Sequence, residues 1–281
     1  MTRRRELQRR RHSIIEIGEI KNSMKTLAYM ETHKLDRFLT AQCAVVAQIE
    51  AVAEDFLAFF PGTLTEPDKS TSLFLLLGSE RGFCGDFNES LLVNLENYLR
   101  ENSIHNPQLM AVGRKLYVHM DNDPRLAVSL EGADVVEEVE RVLNQIIIHL
   151  TESQKNQHAL SLTVLYNDLD SEQVVIKEIF PPFENLTGAR PRFTHPPLIH
   201  VSPMALLAEL IDHYLFAILH KIMYVSLMAE NVRRMRHLEG AVHHLDDKAA
   251  ELLSESNALR QEEIIEEIEV ILLSGASYNE S

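Results

Sequence analysis

The chain has 281 residues, of which 45% are hydrophobic and 25% charged, a composition typical of a globular protein with a substantial core. It has no tryptophan and a formal net charge of -15 at pH 7, so we expect neither a base-stacking surface nor a protein that wraps nucleic acid. Its two cysteines, Cys43 and Cys84, supply no disulfide framework and no metal-ligand spacing, and they fit a reducing compartment.

The first segment is predicted to be one long helix. Between Arg3 and Phe60 there is no proline, and Gly18 is the only glycine. Apolar residues recur there mostly at spacings of three and four, which is typical of one apolar stripe along a helix. Pro61 and Gly62 then end the helix. The basic N-terminus is not followed by an apolar segment, so we do not expect a secretory signal.

The middle segment alternates between strand and helix patterns. Five stretches are predicted to be strands: SLFLLLGS, QLMAVG, RLAVSL, HALSLTVLYND and EQVVIKEIF. Helical patterns separate the first four strands, whereas the last two follow each other directly. This alternation predicts an α/β domain with a mainly parallel sheet, closed by a hairpin. A proline-rich stretch then leads to the last segment.

The last segment is predicted to be a second long helix. Ser202 is placed to cap it, with Pro203 at its first position. The mean apolar spacing is close to the heptad value and predicts a left-handed coiled coil, which continues to about Leu273. A helix of this length needs a partner, and the first segment is available. We therefore predict an α/β domain (61–202) inserted between two long helices (1–60 and 203–281) that form an antiparallel left-handed coiled coil.

Several features of the chain argue against a membrane span and a metal site. There is no run of 18 apolar residues, so no span is expected. The 13 histidines include no H-E-x-x-H pattern, so no metal is expected. Gly18 and Gly240 interrupt the helices. A close helix crossing is the ordinary interpretation of such glycines, and a site of bending is the alternative.

The turn GSERGFCGDFN (residues 78–88) has the look of an active site. It lacks the lysine and the following Ser or Thr of a phosphate-binding P-loop. A nucleophilic Cys84 would need a nearby histidine, and the turn has none. We therefore interpret it as a strand-to-helix turn in which glycines adopt special backbone angles. No catalytic residue and no cofactor are predicted anywhere in the chain.

Four stretches resemble motifs of the gamma subunit of F-type ATP synthases. SERGFCGDFN is similar to T-D-R-G-L-C-G-x-x-N, and IKNSMKTLA to I-T-K-A-M-x-x-V-A. LMAENVRRMRHLEGAV resembles L-x-S-E-x-x-A-R-M-x-A-M-x-x-A, and LRQEEIIEEIEVILLSGA resembles x-R-Q-x-x-I-T-x-E-(I/L)-x-E-I-V-x-G-A. The motifs occur in the family's order, and the resemblance extends over nearly the whole chain.

The resemblance implies a non-catalytic central rotor. Its partners would be the alpha and beta subunits of the catalytic ring, the epsilon subunit and the c ring, at the cytoplasmic face of a bacterial inner membrane. It implies coupling contacts with the ring at Met24, Glu230, Arg234, Met235, Arg260, Gln261 and Glu267, whose charged and flexible groups are expected to project from the helices. It also implies a structural or docking role for the turn residues Arg81, Gly82, Cys84, Gly85 and Asn88.

The chain departs from the family pattern at several positions. Val242, His243 and His244 replace the T-D-N of its A-T-D-N-A motif, Ile265 replaces a threonine, and Asn22 replaces a lysine. These departures indicate a divergent or alternative form, and they leave the coupling ion open. Two other classes remain as alternatives: a free-standing coiled-coil adaptor with an α/β domain, and an enzyme that uses the Cys84 turn.

Overall fold

The computed structural model describes residues 3–63, 71–156, 160–169, 171, 173–183 and 193–278. Its elements in chain order are α1 (Arg3–Phe59), β1 (Thr71–Leu77), α2 (Phe87–Glu101), β2 (Gln108–Val112), α3 (Arg114–Met120), β3 (Leu126–Leu130), α4 (Val139–Asn156), β4 (Leu160–Asn167), β5 (Val174–Phe180) and α5 (Pro203–Tyr278). A mixed α/β domain thus lies between two long helices in the sequence, which confirms the predicted fold class. The Ser202 hydroxyl accepts a hydrogen bond from the N–H of Ala205 at 3.3 Å and caps α5.

The five strands form one sheet in the order β3-β2-β1-β4-β5. The neighbours β1 and β2, β2 and β3, and β1 and β4 are parallel, and only β4 and β5 are antiparallel. In the centre of the sheet, Leu75 of β1 lies opposite Met110 of β2 and Val164 of β4. The parallel sheet and the terminal hairpin are both as predicted from the sequence.

Each face of the sheet packs against its own hydrophobic core. Leu73, Leu75 and Leu77 of β1 join a core that includes side chains of α1, α4 and α5. Phe74 and Leu76, which alternate with them, join a second core built mainly from α2 and α3. The central strand is apolar on both sides because helices cover both faces of a parallel sheet.

The chain divides into two compact units, residues 1–27 with 235–281, and residues 28–234. Within each unit α1 and α5 run antiparallel. The evidence is that residues with rising numbers on α1 contact residues with falling numbers on α5. The pairs are Arg4–Glu263 (2.7 Å) and Lys25–Glu239 (3.7 Å) in the first unit, and Gln42–Ala217 (2.9 Å) and Glu50–Tyr214 (3.3 Å) in the second. The antiparallel pairing is therefore confirmed in each unit. The left-handed coil and the division at residues 60 and 202 stay predictions.

Helix α5 contains a stretch long and apolar enough to cross a membrane. The stretch lies within Pro203–Ile271 and has a mean hydropathy of 1.3, but 67% of it is buried within the protein. Packing against the core is therefore a sufficient reason for its composition. The absence of a span stays a prediction.

The helical glycines Gly18 and Gly240 have open space around them. A Cβ built at either position meets nothing within 4 Å outside its own helix turn, so the close helix crossing expected from the sequence is wrong. We expect Gly18→Ala and Gly240→Ala each to raise the free energy of unfolding by about 1 kcal/mol, because alanine favours a helix by that amount. Urea unfolding of the full chain measures this. A loss of stability in these variants would contradict the assignment of open space.

Candidate functional site at the carboxyl edge of the sheet

Three loops meet at one edge of the sheet because β1, β2 and β3 are parallel and end on the same side. A glycine follows each strand closely: Gly78 after β1, Gly113 after β2 and Gly132 after β3. Gly113 has φ +112°, and a Cβ there would lie 2.7 Å from the carbonyl oxygen of Gly78. Glycine thus allows the loops to approach each other closely. This edge is where α/β folds commonly bind ligands.

The buried carboxylate of Glu80 joins the three loops. Its Oε2 accepts hydrogen bonds from the backbone N–H groups of Arg114 at 2.9 Å and Gly132 at 2.7 Å. Its Oε1 lies 2.9 Å from the guanidinium of Arg114. An ion pair joins Arg81, in the first loop (after β1), to Asp134, in the third loop (after β3), and so connects these two loops a second time. Glu80 therefore takes up backbone donors that a bound anion would otherwise use.

A second buried carboxylate, that of Glu230, reaches the first loop from α5. Glu230 and Arg234 are only 4% and 5% exposed, and they form an ion pair one helical turn apart. The Glu230 carboxylate also accepts the backbone N–H groups of Glu80 at 3.4 Å and Arg81 at 3.3 Å. Arg234 in turn donates from Nε to the carbonyl of Gly82 at 3.3 Å. Together the two side chains fasten α5 to the first loop.

Burial raises the pKa of Glu230 to about 7, although Arg234 and the backbone N–H groups of Arg81 and Glu80 act in the opposite direction. The folded-state pKa lies above the ordinary value of 4.5. The contribution of this group to stability is therefore fully present below the unfolded pKa and is lost as the pH rises through the folded pKa. Glu230 thus titrates near neutral pH inside the protein.

Other hydrogen bonds shape the turn between β1 and α2. Asn88 accepts the backbone N–H of Ser79 at 2.9 Å and donates to the hydroxyl of Ser79 at 2.9 Å. Gly85 has φ +62°, in the left-handed region that glycine tolerates. Arg233 of α5 contacts the exposed Asp86 at 2.8 Å. The predicted turn residues therefore lie together, and whether they also dock a partner stays a prediction.

Cys84 is buried behind this turn and has the properties of a core thiol. Its Sγ donates weakly to the carbonyls of Gly82 at 3.4 Å and Arg81 at 3.6 Å. Burial and, secondarily, the negative charge of Glu230 raise the pKa of the thiol to about 11. A nucleophilic cysteine needs a lowered pKa, so this environment disfavours the alternative of an enzyme that uses Cys84.

We expect Cys84 to react with iodoacetamide far more slowly than the half-buried Cys43 in the native full chain at pH 8. The reason is that Cys84 is both inaccessible and protonated at that pH. Peptide mass spectrometry over a labelling time course measures both rates, and labelling in 8 M urea, where the two rates should become similar, is the control. Faster native labelling of Cys84 would return the nucleophile hypothesis to consideration.

The coupling residues predicted from the sequence fall into two groups. In the first unit, Met24 and Met235 are half-buried, and Arg260, Gln261 and Glu267 are exposed. The expectation that Glu230 and Arg234 project from the helix is wrong, because both are buried against the first loop. Whether any of the seven contacts a partner stays a prediction.

Sequence reasoning missed Glu80, Arg114 and Asp134, which hold the three loops together. A signal was nevertheless present. Each of the three parallel strands is followed by a glycine and a charged residue, in GSER, GR and EGAD. Since parallel strands end at the same edge, this repeated pattern predicts a shared polar cluster. Among the described residues, no group of three His, Cys, Asp or Glu side chains is placed to hold a metal ion.

These features define a protein with an α/β domain inserted between two long helices in the sequence. Its own side chains occupy the edge of the sheet at which such domains commonly bind ligands. A family model described as ATP synthase matches residues 3–277. The chain is similar to the ATP synthase gamma chains of Clostridium perfringens, 26% identical over 276 residues, and Clostridium botulinum, 24% over 274 residues, with 95% of each chain covered in both comparisons. The chain belongs to the ATP synthase family, as a gamma subunit of the central stalk.

Solved structures share the fold. A chain in the mitochondrial ATP synthase of Euglena gracilis, described as OSCP/F1/c-ring, matches with a TM-score of 0.61 and 14% identity, over 98% of this chain and 94% of that one. A chain in the central stalk/c-ring structure from Tetrahymena thermophila matches with a TM-score of 0.56 and 17% identity, over 79% and 99%. At these identities the likeness concerns the fold alone.

Proposed function

We propose that this gamma subunit is the central rotor that couples ion flow through the membrane sector to conformational change at catalytic beta subunits. Its partners would be the alpha and beta subunits of the catalytic ring, the epsilon subunit and the c ring. The complex would sit at the cytoplasmic face of a bacterial inner membrane. The family membership and the named relatives support the proposal.

The observation that carries the proposal is the exposure of large apolar side chains on the first unit, which consists of residues 1–27 and 235–281 and so holds parts of α1 and α5. Ile20 of α1 is 62% exposed and Ile265 of α5 is 56% exposed, and Ile17, Ile264 and Ile268 are also exposed. Apolar surface of this kind on a narrow pair of helices is typical of an interaction surface. Burial inside a ring of partner subunits would remove it from water.

Coupling follows from the asymmetry of such a helix pair. A helix pair inside a pseudo-threefold ring presents a different face to each beta subunit, so each beta conformation is favoured by different contacts. Rotation moves those contacts from one site to the next. By linkage, ATP turnover drives the rotor just as the rotor drives release of ATP. The gamma chain therefore needs no catalytic group of its own.

Arg260 is the sharpest test of this function because it is charged, exposed and on the first unit. We expect Arg260→Ala in the assembled enzyme to lower ATP synthesis and ATP-driven ion pumping without lowering subunit content. A charged partner lost from a partly buried interface costs about 2–5 kcal/mol. The matched control is Arg100→Ala on α2, also exposed, which should leave synthesis and pumping unchanged.

Synthesis, pumping and subunit content are measured on the same membranes. Normal synthesis and pumping in Arg260→Ala would reject the coupling contact, and a parallel loss of subunits would reassign Arg260 to assembly. Purification of the chain without alpha and beta subunits would favour the adaptor alternative instead.

A further inference from the structure

The first loop of the α/β domain has the geometry of an anion-binding site. The successive backbone N–H groups of Glu80 and Arg81 are directed at one carboxylate, that of Glu230. Successive N–H groups in a turn commonly form a concavity that binds an anion. The loop follows β1, the strand that pairs with both β2 and β4. That position is where α/β folds hold the phosphate groups of their ligands.

The occupant of this site belongs to the chain itself. Glu230 comes from α5, far away in sequence, and is 4% exposed. Arg234, 5% exposed, supplies the cation beside it and donates to the carbonyl of Gly82 in the same loop. A buried charge without partners is unfavourable. The Glu230 carboxylate, the Arg234 guanidinium and the two backbone N–H groups of the loop therefore have to stay together for α5 to pack here. The carboxylate and its cradle are thus a built site with an internal ligand.

We propose that the ionised Glu230 side chain is an internal anion bound in the backbone cradle of Glu80 and Arg81, and that it positions α5 against the α/β domain. Under the proposed function, on which this part rests, the contact passes torque between the sheet edge and the helix. The neighbouring pair Arg233–Asp86 joins the same two elements but lies at the surface, where the Asp86 side chain is 75% exposed. Exposed pairs contribute little, so the buried anion is the stronger of these two polar contacts.

The first experiment asks whether an external anion replaces the internal one. Glu230→Ala removes a fragment equivalent to acetate and leaves the cradle open. We expect its melting temperature, measured on the full chain, to rise and saturate with added acetate, because a ligand that binds only the folded state stabilises it. Sodium chloride at equal ionic strength should have a smaller effect. Wild type and Asp86→Ala should show no difference between the two salts. An equal response of Glu230→Ala to both salts would overturn the anion cradle.

The second experiment asks whether the contact positions α5 for coupling. In the assembled enzyme we expect Glu230→Ala to keep ATP hydrolysis but to pump fewer ions per ATP, with Asp86→Ala at the wild-type ratio. If Glu230→Ala does not assemble, Glu230→Gln decides, because it keeps the size and one acceptor but not the charge. A wild-type ratio in the assembled variant would overturn the positioning role. Failure of the wild-type complex to pump would instead count against the proposed function.

Discussion

Arg234→Ala is expected to lower the free energy of unfolding by about 3–5 kcal/mol at pH 8.5, since the buried Glu230 carboxyl that loses its cation must either remain an uncompensated charge or take up a proton. The remaining Glu230 loses the positive charge that lowers its pKa. It therefore stays protonated to a higher pH in the variant than in wild type, where its pKa is about 7. The deficit relative to wild type should consequently grow as the pH rises through this range.

Urea unfolding of the full chain at pH 6 and pH 8.5 measures this difference. Asp86→Asn is the matched control, because it breaks the exposed pair between the same turn and helix and should cost less than about 1 kcal/mol at either pH. A loss in Arg234→Ala no larger than in the control, or one that shrinks with rising pH, would contradict the buried pair.

Gly113→Ala is expected to lower the free energy of unfolding by about 3 kcal/mol or more, because it combines backbone strain with overpacking. The residue has φ +112°, and a Cβ would lie 2.7 Å from the oxygen and 2.8 Å from the carbon of the Gly78 carbonyl. Those atoms are backbone, so they have little freedom to move aside.

Two other glycines in the same domain separate strain from overpacking. Gly85 has φ +62° but open space around it, so Gly85→Ala should cost about 1–2 kcal/mol through strain alone. A Cβ at Gly82 would make only one ordinary contact, at 3.9 Å with Lys115, so Gly82→Ala should be close to neutral. Thermal unfolding of the three variants gives the order. Equal stability of Gly113→Ala and Gly82→Ala would refute the close approach of the loops.

The sequence predicted those parts of the fold that depend on local periodicity. The alternation of Leu73 to Leu77 and the three-and-four spacing of α1 identify strand and helix, because burial on one or two faces imposes a fixed period. The length of the two helices predicted that they pair with each other, since a long amphipathic helix needs a partner to bury its apolar stripe. All five strands and their final hairpin were found in this way.

The candidate site was less predictable because its contacts are tertiary. Glu230 meets the N–H groups of Glu80 and Arg81, about 150 positions earlier in the chain, and no periodic pattern connects them. A charged pair at i and i+4 on a helix, such as Glu230 and Arg234, looks the same in sequence whether it is exposed or buried. Their expected projection from the helix was wrong for that reason.

The pairing of α1 with α5 has a consequence for the time course of synthesis. Arg4 contacts Glu263, 259 positions later, so the first helix leaves the ribosome long before its partner exists. At about 5–20 residues per second, α1 waits roughly 10–50 s for α5. During this interval Leu35, Val46 and Ala53, which are buried in the finished protein, face water. We therefore expect the nascent chain to expose apolar surface of the kind that chaperones bind until its last third has been translated.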